Sequence, residues 1–77
     1  MMDLRTLVEQ VLRLSGQPES AVDIEQKLIT AGIDLKEHVD PRASTRATIQ
    51  RVLEKLPPQN VQRHVRPGGE SKFQWIF

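Results

Sequence analysis

The chain has 77 residues, 38% of them hydrophobic and 27% charged, a formal net charge of +1 and no cysteine. A chain of this length forms one domain, here 1–77, and buries only about 60% of the surface its unfolded form exposes, which leaves little room for a large catalytic cleft. Disulfide staples, iron–sulfur ligation and thiolate zinc sites are excluded. No apolar run is long enough to span a membrane, and the amino terminus lacks a basic segment leading into an apolar one, so a soluble cytoplasmic protein is expected, nucleoid-associated if bacterial.

The small net charge hides an asymmetry. Residues 1–40 carry Asp3, Glu9, Glu19, Asp23, Glu25, Asp34, Glu37 and Asp40 against Arg5, Arg13, Lys27 and Lys36, about −4. From Pro41 onward, Arg42, Arg46, Arg51, Lys55, Arg63, Arg66 and Lys72 face only Glu54 and Glu70, about +5. A polyanion responds to local potential more than to the sum, so the second half is where a nucleic-acid surface would lie.

In chain order, Leu4, Leu7, Val8, Val11 and Leu12 recur at helical spacing and predict a first helix, capped by Asp3 and ended at Ser15-Gly16. Ser20 and Asp23 form a capping-box pattern opening a second helix over Ala21–Ala31, with Ile24, Leu28 and Ala31 inward and Gly32 at a left-handed cap. Ile33–Val39 has no clear period and reads as a loop or distorted turn. A third helix starts either at Asp40-Pro41 or, with Ser44 as its cap, a few residues later. Its Ile49, Val52, Leu53 and Leu56 form the buried stripe, and Pro57-Pro58 stops it.

Val61–Arg66 and Ser71–Phe77 alternate as strands around Pro67-Gly68-Gly69. Val61 and Val65 on one strand and Phe73, Trp75 and Phe77 on the other should meet the same core. A three-residue loop achieves this by pairing Arg66 with Glu70, Val65 with Ser71 and Val61 with Trp75, which turns Gln62, His64, Arg66, Lys72 and Gln74 outward. The predicted fold class is therefore α+β: a three-helix winged helix-turn-helix with a C-terminal two-stranded β-hairpin wing.

The chain resembles the winged helix-turn-helix domains through Val11-Leu12, Pro18, Ile24, Leu28, Gly32, the run Ser44-Thr45-Arg46-Ala47-Thr48-Ile49 leading to Leu53, and the closing Phe73-Gln74-Trp75-Ile76-Phe77. Among these it is loosely similar to the HARE-type helix-turn-helix, with Arg46 standing where that family has a proline. The resemblance implies binding of double-stranded DNA, with the third helix in the major groove and the wing along the backbone or minor groove. Winged helices that bind only proteins are also common.

With Ile49 central in the buried stripe, Ser44, Ala47, Arg51, Glu54 and Lys55 fall on the far side of the third helix, Arg46 and Gln50 on one flank and Thr48 on the other. Small residues let a helix approach base edges, and the arginines and Gln50 have the donors for guanine, adenine or phosphate. The plainer reading is a solvated face. The candidate DNA-binding set is Arg42, Ser44, Arg46, Ala47, Thr48, Gln50, Arg51 and Lys55, with His64, Arg66 and Lys72 from the wing. The wing charges could equally guard an edge strand against aggregation.

Phe73, Trp75 and Phe77, the only aromatic residues, are expected to close the core rather than stack bases. His38 and His64 lie on different elements with no carboxylate cluster, so no metal or other cofactor is expected. No nucleophile constellation or phosphate-cradling loop argues for an enzyme or a small-molecule substrate. Glu19 and Asp23 read as helix-start acids. The expected function is a small transcriptional or phage-type regulator, binding weakly as a monomer and needing a homodimer or a protein partner for tight binding. The alternative is an adaptor or inhibitor of a nucleic-acid machine that docks on protein, with Ile33, Leu35 or Val39 as anchors in the long connection.

Overall fold

The structure, a computed structural model, describes residues 3–76. Helix α1 covers Leu4–Ser15. Its cap is Asp3, whose carboxylate accepts from the Thr6 N–H at 2.9 Å and the Thr6 hydroxyl at 2.8 Å. These bonds hold the Asp3 carboxyl below the usual carboxylate range. Leu4, Leu7, Val8 and Leu12 are buried, while Val11 is half-buried against the same core. Gly16 ends the helix at φ +66°, where its N–H donates to the Leu12 carbonyl. A residue with a Cβ would be strained in that conformation.

Helix α2 covers Ala21–Thr30 and opens on the full reciprocal box: Asp23 N–H donates to Ser20 Oγ at 3.2 Å, and Ser20 N–H to Asp23 Oδ2 at 3.0 Å. The Ser20 N–H is the main influence holding the Asp23 carboxyl low, and the Ser20 hydroxyl, Lys72 and Lys27 act in the same direction. Ala21, Ile24 and Leu28 face inward. Ala31, expected to do so, is exposed, because the helix stops at Thr30 and the chain turns away through Gly32 at φ +83°.

The connection that follows is more ordered than a loop. Asp34 accepts from the Lys36 N–H at 3.0 Å and caps a 3₁₀ turn, Leu35–Glu37. This turn folds Leu35 and Val39 onto the core, leaving each 9% exposed, with Ile33 half-buried beside them. The three residues considered as exposed anchors for a protein partner are therefore committed to the interior. A chain this small has few apolar side chains to spare, and burying them is favourable by about 1.5–3 kcal/mol each.

Of the two possible starts for the third helix, Ser44 is the cap. Its hydroxyl accepts from the Ala47 N–H, while Asp40–Ala43 forms a separate turn closed by Ala43 N–H to the Asp40 carbonyl at 2.9 Å. Helix α3 then covers Thr45–Lys55. Ile49 and Leu53 are fully enclosed, Leu56 beyond the helix end is buried, and Val52 is half-buried.

Strands β1 (Val61–His64) and β2 (Lys72–Trp75) pair antiparallel in the expected register, Val61 opposite Trp75 and Arg63 opposite Phe73. At the tip, Gly69 N–H donates to the Arg66 carbonyl at 3.1 Å and Gly68 takes φ +69°. Val61 and Phe73 are buried and Trp75 packs on the core. Val65 does not join them, being 68% exposed, because β1 ends at His64, one residue before it. Phe77 lies outside the described residues. The outcome is an α+β, winged-helix-like arrangement of three helices followed by a two-stranded hairpin.

Candidate nucleic-acid interface

The first turn of α3 begins with a cap that spends two polar groups on backbone. Ser44 Oγ serves the Ala47 N–H, and Thr48 Oγ1 donates to the Ser44 carbonyl at 3.0 Å, so neither hydroxyl points freely outward. Arg46, Ala47 and Gln50 instead line a shallow concavity of about 270 Å³, whose other walls are Ser20, Ala21 and Val22 at the start of α2 and Glu70 and Ser71 of the hairpin. Arg51 and Lys55 follow Ala47 at four-residue spacing and extend this exposed side of α3. Arg42 is exposed in the turn before the helix.

Two of these side chains are engaged by glutamate carboxylates. Arg46 Nε donates to Glu25 Oε1 of α2 at 3.0 Å, and Gln50 Nε2 donates to Glu54 Oε1 at 3.1 Å. Arg42, Arg51, Lys55 and Arg66 make no ion pair among the described residues. Arg66 stands exposed at the hairpin tip.

The hairpin divides its candidates between two faces. Strand alternation places Ser71 toward the α3 concavity and Lys72 on the opposite side. Lys72 lies 3.9 Å from Asp23 Oδ2 and borders a second hollow with Gln17, Pro18 and Lys27. His64, opposite Lys72 in the ladder, is half-buried, its Nε2 3.1 Å from Gln74 Oε1, while Gln74 Nε2 donates to the Gly16 carbonyl at 3.3 Å. His64 and Lys72 thus face the α1–α2 connection, whereas the Arg46 concavity meets the hairpin through Glu70 and Ser71.

Three contacts were not among the expectations drawn from the sequence. Glu25 reaches Arg46 across the two helices. Arg63, expected on neither face, lies over the Phe73 ring at 5.5 Å and donates from Nη2 to Ser71 Oγ at 3.2 Å. Its signal was available, since alternation from Val61 puts position 63 on the Phe73 face. Arg13 of α1 covers the Trp75 ring at 4.6 Å, a contact worth about 0.5–1 kcal/mol at an exposed site.

Glu19 is also more than a helix-start acid. Its buried carboxylate accepts from Ser15 Oγ at 2.6 Å and pairs with Lys27 Nζ.

Among the described residues, no helix is long and apolar enough to cross a membrane, and no group of three or more His, Cys, Asp or Glu is placed to hold a metal. Compared with protein-family models, with curated proteins and with solved structures, the chain matches none.

Proposed function

We propose that this chain is a DNA-binding winged-helix protein, a small transcriptional or phage-type regulator whose helix α3 enters the major groove while the hairpin tip runs along the sugar-phosphate backbone. The observation that carries the reading is the shared concavity: Arg46, Ala47 and Gln50 of α3 open onto the same surface as the hairpin's Glu70 and Ser71. Ala47 is small enough for the helix to approach base edges, and Arg46 and Gln50 flank it with hydrogen-bonding groups. Arg51, Lys55 and Arg66, free of ion pairs among the described residues, supply charge to neighbouring phosphates.

The number of such cations is small, and Arg46 and Lys72 are already opposed by carboxylates of α2. Affinity as a monomer is therefore weak and falls steeply with salt, and a homodimer or a protein partner supplies tight binding in this reading. No membrane, small-molecule substrate or cofactor enters it.

The test is a titration of ¹⁵N-labelled protein with mixed-sequence duplex at low and moderate salt. Amide shifts concentrated on 44–55 and 66–71 support the reading. No duplex affinity at low salt, together with stoichiometric capture of a protein partner, replaces it with the adaptor reading.

A further inference from the structure

We propose that Glu25 is a positioning residue that aims the Arg46 guanidinium at a guanine in the bound duplex; the inference rests on the DNA-binding reading above and adds to it the base that Arg46 reads.

Three features carry it. First, the two partners differ in freedom: the Glu25 side chain is 12% exposed on α2, whereas that of Arg46 is 58% exposed at the beginning of α3. The acid is the fixed member and the arginine the presented one. Second, the contact is made through Nε, at 3.0 Å. The guanidinium carries five donors in a rigid planar fork, and a bond at Nε does not use the terminal edge formed by Nη1 and Nη2. That edge matches the neighbouring O6 and N7 acceptors of guanine, and tethering the stem nitrogen lowers the conformational freedom lost when it docks. Third, the location is right for a base: Arg46 opens onto the concavity beside Ala47, whose methyl group leaves the approach clear.

Charge separates guanine from phosphate as the target. With Glu25 at hydrogen-bond distance, the Arg46–Glu25 unit has little net charge, so its attraction to a phosphate monoanion is largely cancelled. The edge of guanine is uncharged and asks only for donors. Phosphate attraction then belongs to Arg51, Lys55 and Arg66, which have no such partner among the described residues.

The experiment is selection of duplexes from a random pool by the full chain, followed by affinity measurements on the selected duplex and on the three variants of it that differ at the base in question. Wild type is expected to enrich a motif containing a guanine whose preference disappears in Arg46→Ala and falls in Arg46→Lys, the latter keeping the charge but not the fork. Glu25→Ala should reduce the preference at that position roughly tenfold while holding or raising affinity for unrelated duplexes, because a negative charge is gone. Glu25→Gln keeps an oxygen acceptor for Nε–H and should retain most of the preference.

Undiminished guanine preference in Glu25→Ala, or in Arg46→Lys, overturns the inference and leaves DNA binding intact. A uniform rise in affinity for all duplexes in both Glu25 variants also overturns it, showing Glu25 to be a charge screen alone. Absence of any duplex binding by wild type defeats the DNA-binding reading itself, and this inference with it. Arg46 is exposed, so its variants can overturn the inference even if a Glu25 variant fails to fold.

Discussion

Glu19 and Phe73 exchange two backbone hydrogen bonds, each 2.8 Å, so that a single residue between the first two helices pairs with the outer side of β2. Strand β2 is consequently held on both sides, by β1 and by Glu19, and the hairpin is anchored to the helical layer rather than hanging from α3. Phe73, 3% exposed, is held in the core by the same pairing. Through this bridge the position of Ser71 and Glu70 against α3 is set, and with it the concavity that includes Arg46.

The Glu19 carboxylate gives the bridge a testable weak point. It is 4% exposed and its charged partner is Lys27, itself 44% exposed. Replacing Lys27 by Ala leaves a buried carboxylate with only the Ser15 hydroxyl, and we expect a loss of about 1–3 kcal/mol. Replacing both, as Glu19→Gln with Lys27→Ala, should recover part of this. Urea denaturation of the three proteins checks the ordering; equal stability of Lys27→Ala and wild type refutes it.

Acid should weaken α2 through Asp23. Its carboxyl is held low in the folded chain, first by the Ser20 N–H, so its contribution to stability is fully present above its unfolded pKa, about 3.9, and is lost as pH falls through the lowered folded value. Asp23→Asn is therefore expected to be less stable than wild type at pH 7, with the gap closing below about pH 3.9. Thermal melts at pH 7 and pH 3 measure it. Ser20→Ala, which removes the cap oxygen, should cost about 1 kcal/mol, or roughly 4–8 °C in Tm for a domain of this size.

Ile49 is fully enclosed beneath the exposed side of α3. Ile49→Ala deletes its outer carbons without a neighbour able to refill the space, and a loss of about 2–5 kcal/mol is expected. Against the roughly 5–15 kcal/mol typical of a whole domain, this is a large share, and the melting transition should move to markedly lower temperature. Circular dichroism melting would show the displaced transition, and an unchanged melt would contradict the packing.

If the proposed DNA-binding reading holds, Arg51→Ala and Lys55→Ala should each weaken binding of all duplexes to a similar extent and lower the slope of log affinity against log salt by about 1. Neither should alter base preference. Both side chains are exposed and without ion pairs among the described residues, so folding is expected to be unaffected. Fluorescence anisotropy across a salt series is the measurement; a slope unchanged in both variants removes these residues from the phosphate-contacting surface.

The pairing of Arg13 with Trp75 offers an optical check on the hairpin's docking. Trp75 is the only tryptophan, and the Arg13 guanidinium lies 4.6 Å from its ring centre. Arg13→Ala should change the emission spectrum and cost about 0.5–1 kcal/mol. An identical spectrum and an unchanged stability would contradict the Arg13–Trp75 contact.

Most of the local structure was legible because it depends on neighbours close in the chain. The Leu4–Leu12 and Ile49–Leu53 stripes follow from helical periodicity, the caps at Asp3 and Ser20 from short side chains that reach backbone a turn away, and the Val61–Trp75 register from strand alternation across a short loop, whereas only the structure decides for Ser44 over Asp40 as the third cap. Where the reading failed, a distant partner or the end of an element decided the matter. Leu35 and Val39 looked available because nothing near them in sequence shows the core they fold against, and Val65 looked buried because alternation does not say where a strand leaves the sheet.

By itself, then, the order of residues determined the helices, the first two caps, the hairpin and the separation of acidic from basic halves, all governed by contacts within a few positions. Only the tertiary structure decided which charges remain open. Arg46 and Glu25 lie 21 residues apart, and Phe73 and Glu19 farther still, so their meeting depends on how α2, α3 and the hairpin pack around Ile24, Ile49 and Leu12. Periodicity tells which side of an element faces inward, but the distance between two charges is set by packing, and Coulomb attraction and hydrogen bonding act on that distance.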